Sequence, residues 1–177
     1  MGKLELKEFK DLQERFAGDS KRLVAVRGDL SKKKLGLSPK AIADLKGKVT
    51  HFCHFAAVYD IAASLEAQQT ANIDGTRNAV ELAALLKAGC FHHVSSIAAG
   101  GMYKGTFRED MFEEAENYEH PYFSTKHDSE GIVRNECSVP WRVYRPAMVV
   151  GHSETGEIDK IDGAYYFFKS LQKIRNV

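Results

Sequence analysis

The sequence predicts an α/β domain, a parallel sheet covered on both faces by helices. Three observations carry that expectation. Short runs rich in β-branched and aromatic residues recur at 23–26, 49–55, 91–95 and 141–145. Segments with apolar residues at helical spacing stand between them, most clearly about 65–87 and 122–135. The strand candidates each end in small, polar or turn residues, as strands do when they feed crossover helices. A length of 177 residues suits one domain spanning 1–177.

Taken in order, residues 4–17 place Leu4, Leu6, Phe9, Leu12 and Phe16 among Glu and Lys, a helical spacing that Gly18 stops. Leu23-Val24-Ala25-Val26 reads as a buried strand that leaves into Arg27-Gly28-Asp29-Leu30. Ser38 before Pro39 is an N-cap followed by proline at the first helical position, so a short helix runs to Leu45. The buried strand 49–55 opens into Ala56-Ala57-Val58. The segment 65–87 is helical, interrupted by Asn72 and Gly75 and closed by Gly89. A third strand, 91–95, leads into a flexible glycine-rich loop at 98–105. An acidic stretch at 109–119 precedes the helix 122–135, and Pro146 breaks the fourth strand. Ligands of open α/β sheets bind beyond the carboxyl ends of the strands. Asp29, Ala56-Ala57, Ser95-Ser96 and Pro146 would share one such crevice.

Bulk properties exclude several functions. Lys+Arg number 25 and Asp+Glu 24, a net charge of +1, which gives no field for nucleic acid or anionic membrane. The run Lys32-Lys33-Lys34 is short and reads as a solvated loop. Cys53, Cys90 and Cys137 are scattered, as reduced thiols in a cytoplasmic protein are. Cys53 lies between His51 and His54, but no second cluster completes a zinc site, so no metal is expected. No signal peptide or membrane-spanning run is expected, and Leu6 spoils a myristoylation signal after Gly2.

The chemistry concentrates at Tyr122-Phe123-Ser124-Thr125-Lys126. On a helix, residues four apart share a face. A fixed ammonium beside a phenol favours the phenolate, and such an oxygen can pass a proton near neutral pH. Ser96, 26 residues upstream of Tyr122, could hydrogen-bond an oxygen held against that phenol.

These residues resemble the extended short-chain dehydrogenase/reductases. The matching stretches are Gly28-Asp29-Leu30, His54-Phe55-Ala56-Ala57, Asn72-Ile73-Asp74-Gly75-Thr76, Val94-Ser95-Ser96, Tyr122 through Lys126, and Tyr144-Arg145-Pro146, in the family's order and spacing over 23–151. The resemblance implies a Rossmann-like parallel sheet with flanking helices. It implies Tyr122 as acid/base, Lys126 as the ammonium that assists it and holds the nicotinamide ribose, and Ser96 on the substrate carbonyl, with Ser95 as the neighbouring alternative. Asn72 would bend its helix and help a water-mediated proton relay. Asp29 would accept from the adenine amino group beside the Leu30 backbone, Phe55, Ala56 and Ala57 would line the cofactor, and Pro146 would stand near the carboxamide.

Within that family, residues 141–151 and 153–163 are similar to fatty-acyl reductase-like and multidomain short-chain reductases. Ile97-Ala98-Ala99-Gly100-Gly101 replaces the tyrosine and glycine usual in sugar epimerases. The expected activity is therefore NAD- or NADP-dependent hydride transfer to or from a carbonyl or carbinol carbon, with the reductase resemblance favouring NADP. The substrate would be a small carbonyl or acyl compound, preferably fatty-acyl or lipid-like. A nucleotide-sugar epimerase or dehydratase and a non-catalytic nucleotide-binding scaffold are the alternatives.

One departure is large. The family's first β-α-β unit, with its glycine-rich turn cradling the pyrophosphate on a helix N-terminus, has no counterpart in 1–27. The substrate region that begins near 151 is also shorter than the family's. The expectation is a partial domain that alone binds dinucleotide poorly and is inactive, associating with the rest of a longer parent chain or as a homodimer.

Overall fold

The computed structural model describes residues 23–58, 63–158 and 163–174. The predicted helix 4–17 lies outside the described residues. Ser38 caps α1 (Pro39–Leu45) through a 3.2 Å bond from the Ala41 amide to its hydroxyl, as its sequence predicts. Then follow β1 (His51–His54), α2 (Leu65–Leu86), β2 (Cys90–Val94), α3 (Pro121–Glu136), β3 (Trp141–Tyr144) and α4 (Ala164–Ile174). The three strands pair in parallel in the order β1-β2-β3, with His51 opposite Cys90 and Phe91 opposite Trp141. Helix α2 crosses from β1 to β2 and α3 from β2 to β3, making two successive β-α-β units.

Both helices cover the same face. Phe91 is fully buried there with Ala79, Val80 and Ala83 of α2 and Ile132 and Val133 of α3, and Phe52, Trp141 and Val143 pack at the margin. On the opposite face His51, Cys53, Arg142 and Tyr144 are exposed. The expected two-sided cover is therefore one-sided among the described residues, and the strand at 49–55 is not buried throughout. The physical reason is alternation: in β1 and β3 one side chain in two is polar or solvent-facing, the pattern of a strand with one wet face. That face carries a hydrogen-bonded row, His51 Nδ1 to His92 Nε2 at 2.9 Å and His92 Nδ1 to the Tyr144 hydroxyl at 2.9 Å.

Three further expectations are corrected. Residues 23–26 form no strand: Val24 and Val26 stand 77% and 51% exposed, because no neighbouring strand lies along them among the described residues. The next turn is instead fastened to α2, where the Asn78 amide donates to Leu30 O (2.8 Å) and the Leu30 side chain would touch any Cβ at Gly75. Helix α2 is closed by Lys87, in the left-handed region at φ 54°, rather than by Gly89. Gly89 serves close packing, since a Cβ there would meet Thr50 O at 2.7 Å. The loop at 98–105 is not uniformly flexible: Ile97–Gly100 form a 3-10 turn in which Ala98, Ala99 and Gly100 are buried, and Gly101 bridges to Glu116.

Where the strands end, Glu130 of α3 gathers them. It is fully buried, and its carboxylate accepts from Ser95 Oγ (2.8 Å), Arg134 Nε (2.8 Å), Arg145 Nε (3.0 Å) and Arg145 Nη2 (2.6 Å). Arg145 also donates to Met111 O and Arg108 O, tying in the loop before α3. Burial alone would push the Glu130 carboxyl up, but Arg145, Ser95 and Arg134 together hold it below the usual carboxylate value. Removing one member of a buried ion cluster strands the others. Glu130→Gln is expected to cost about 3 kcal/mol in a denaturant titration. The wild-type contribution is fully present above the unfolded value of 4.5 and is lost as pH falls through the lower folded one, so the variant's deficit should shrink in acid.

Candidate active site

Helix α2 is not one regular helix. Leu65–Gln68 and Gly75–Leu86 are α-helical, and Gln69–Asp74 between them are a π turn. The extra residue of a π turn redirects side chains locally, and here it points Asn72 inward, 2% exposed. The Asn72 carboxamide pairs with the Val58 backbone in both directions: Oδ1 accepts from Val58 N (2.8 Å) and Nδ2 donates to Val58 O (3.0 Å). Nδ2 also donates to Thr125 Oγ1 at 3.2 Å. Gln68, fully buried one turn earlier, donates to Ala63 O and has its Oε1 3.4 Å from Thr125 Oγ1.

Thr125 belongs to α3, which Pro121 opens and the His120 ring caps by accepting from the Tyr122 amide. Tyr122 is half-buried in that first turn, and Lys126 follows one turn later at 5% exposure. The Lys126 ammonium donates to Val94 O at 3.4 Å and makes no ion pair among the described residues. Desolvation holds its pKa below the ordinary lysine value. His127 fixes the adjoining turn: Nδ1 lies 2.9 Å from Ala99 O, and the ring stacks between Phe112 and Tyr118.

Ser96 caps the 3-10 turn, its hydroxyl accepting from Ala98 N at 3.1 Å. Pro146 comes next to it because Ile97 N donates to Pro146 O at 3.2 Å. Ser95 points to the opposite side, into the Glu130 cluster, and is buried. A continuous series of contacts thus runs from Ala57-Val58 through Asn72, Thr125-Lys126 and Val94 to Ser96 and Pro146. Phe55, at 67% exposure, and Ala56 are open to solvent beyond β1. Asp29 and Leu30 stand apart from this series. Asp29 accepts from Ser31 N (3.0 Å) and Oγ (2.6 Å), bonds that lower its carboxyl pKa and make an Asx-type turn.

Two histidines lie under Lys126. His54 Nε2 is 3.0 Å from Thr76 Oγ1, whose own hydrogen goes to Asn72 O at 2.6 Å, so His54 carries its proton on Nε2. Burial, then the Lys126 charge, lowers the His54 pKa to about 4. His93 is stacked on it at 5.5 Å and is lowered to about 3, first by burial. Gln68 and Val58 lie outside the matching stretches and Thr125 lies within one without an assigned role; only the Asn72 motif hinted that something had to receive that side chain.

A family model described as Male sterility protein, an NAD-binding family, matches residues 3–177. The chain belongs to this family. Curated relatives include a putative fatty acyl-CoA reductase of Drosophila melanogaster, 30% identical over 169 residues (80% of this chain, 32% of that one). A non-canonical nonribosomal peptide synthetase of Aspergillus hancockii is 29% identical over 161 residues (85% and 15%). An aldehyde reductase of Aspergillus flavus is 28% identical over 152 residues (80% and 15%). The chain therefore spans a third or less of these relatives' lengths. Among solved structures, the terminal R domain of the myxalamid PKS-NRPS pathway superposes with a TM-score of 0.79 at 24% identity, covering 98% of this chain and 47% of that one. The Rossmann-like fold expected from the sequence is thus established.

Asn72→Ala is expected to lower stability by about 2 kcal/mol, because the paired Val58 backbone groups and Thr125 lose their partner. Amide exchange at Val58 should accelerate at least about tenfold, the scale of one lost hydrogen bond, which hydrogen-exchange NMR would read.

Proposed function

We propose that this protein is an NAD(P)-dependent oxidoreductase that reduces, or in reverse oxidises, a carbonyl or carbinol carbon, with a fatty-acyl or thioester-derived carbonyl as the favoured substrate. The observation that carries this reading is Lys126, a buried ammonium with one long hydrogen bond and no counter-ion among the described residues, one helical turn from Tyr122. A buried unpaired charge is costly and is kept where it performs chemistry.

The residues present fit the nicotinamide-ribose end of such a cofactor. Lys126 has donors to spare for ribose hydroxyls, the Ala56-Ala57 backbone has no bulk to obstruct approach, and Pro146 adjoins Ser96. When bound, a reduced nicotinamide supplies a hydride to the carbonyl carbon. Ser96 would hold the carbonyl oxygen, and Tyr122 would give that oxygen its proton, so that one C=O becomes one CH–OH. The Lys126 ammonium would stabilise the tyrosinate left behind. Asn72 acts mainly as a pin in this scheme, since its carboxamide is already engaged with Val58 and Thr125. Asp29 would serve adenine through Oδ2, since both Ser31 bonds go to Oδ1.

The reductase names of the relatives support a net reduction. An epimerase would use its cofactor without net turnover, and a UDP-glucuronic acid 4-epimerase of Bacillus cereus shares the fold at a TM-score of 0.54. Following NAD(P)H absorbance with an acyl thioester or long-chain aldehyde separates the two. In the full-length protein Tyr122→Phe should lower kcat by at least about a hundredfold, the scale of a lost general acid, while the cofactor Kd changes less than about threefold. Unchanged kcat in Tyr122→Phe would refute the assignment.

A further inference from the structure

His93 is 3% exposed, and both of its ring nitrogens lack a hydrogen-bond partner. No other buried side-chain nitrogen or oxygen among the described residues is in that position. A neutral imidazole has one N–H and one lone pair, and stranding them in the interior is costly. The ring lies on the helix-covered side of β2, between Phe91 and Ser95, stacked on His54. The Lys126 ammonium stands against the same stretch of strand, since it reaches the carbonyl of Val94, the very next residue. That ammonium has three hydrogens and one acceptor at 3.4 Å.

We propose that His93 is a positioning residue for Lys126: its imidazole lone pair is the interior acceptor of the ammonium, reached by rotation of the lysine's terminal methylenes. This rests on the oxidoreductase reading for its consequence, but not for its physical content. The contact keeps the charge at its depth against β2, on the helix that carries Tyr122 one turn earlier. The groups facing His93 are His54 from β1, Lys126 and Glu130 from α3, and, through Glu130, Arg145 after β3. With a pKa near 3 the ring stays a neutral acceptor throughout the range in which an enzyme of this kind is assayed, so it acts on pH dependence only through Lys126 and, beyond it, Tyr122.

The test compares wild type with His93→Phe, which keeps a buried ring without a lone pair, and His93→Gln, which restores an acceptor. Two readouts apply to the full-length protein. One is the titration midpoint of Lys126 by NMR of 15N-labelled lysine. Loss of the acceptor favours neutral lysine, so His93→Phe should move the midpoint down by about one pH unit, the scale of one charge-assisted hydrogen bond. His93→Gln should bring it back to within about a third of that shift. The second is the alkaline limb of kcat/KM, which Lys126 and the proton donor Tyr122 set together; it should move in His93→Phe and return toward its wild-type position in His93→Gln. A folded His93→Phe with an unmoved Lys126 midpoint, or a Gln variant that tracks Phe, would overturn the proposal. Should His93→Phe not fold, the ring 15N spectrum of the wild type decides: a hydrogen-bonded acceptor nitrogen supports the contact, and a free lone pair refutes it. Absence of NAD(P)H turnover would sink the oxidoreductase reading while the lysine titration still judged this one.

Discussion

A single buried carboxylate holds the working end of this sheet together. Glu130 sits where β2, β3 and the loop before α3 converge: Ser95 and Arg145, just past the two strands, donate to it, and the loop's Met111 carbonyl accepts from Arg145. Parallel strands have slanted ladders and no hairpins to fix their ends. Their carboxyl termini therefore need some other device to keep them in register with the helices that follow. Here that device is ionic: two guanidiniums and a hydroxyl converge on one carboxylate that α3 carries one turn beyond Lys126. The cluster costs desolvation, and it yields position, because four hydrogen bonds to two oxygens admit little freedom.

The site inherits that rigidity. Lys126 and Glu130 are four residues apart on α3, so clamping one fixes the depth of the other. From the opposite side Asn72 and Gln68 clasp Thr125, and Asn72 binds the backbone at Val58 as a strand neighbour would. Lysine burial without a counter-ion is sustainable only in such a frame, since a looser one would let the ammonium escape to water. The neutral state of His54 and His93 belongs to the same balance, two uncharged rings beneath one charge.

Much of this was legible in the sequence, and the failures are physical rather than accidental. The Ser38-Pro39 cap, the three paired strands and α3 come from local chemistry that tertiary structure leaves in place. Residues 23–26 have strand composition, but a strand is a relation between two segments, and composition cannot supply the neighbour. Lys87 adopts a backbone conformation usually left to glycine, so the stop of α2 falls two residues before the glycine that composition marks. Asn72, Ser96, Tyr122 and Lys126 stood out as candidates because they lie in stretches that resemble the short-chain family. Glu130, Gln68 and His93 did not, and Thr125 did only as part of the Tyr122–Lys126 stretch, because their surroundings are made by residues up to 57 positions away in the chain.

The π turn at Gln69–Asp74 has one more implication. Such a turn is a helix holding one residue beyond what its pitch requires. Upstream and downstream of it the two α-helical pieces keep separate phases: Gln68 faces Thr125, while Ala79, Val80, Ala83 and Leu86 face the sheet. Length and function are thereby linked in an unusual way. Shortening this stretch by one residue would give a more regular helix with stronger internal bonding, and it would rotate one half against the other by about 100°. The contacts of Asn72 and Gln68 with Val58 and Thr125 would be lost through an improvement in secondary structure, so the surplus residue is part of what positions them.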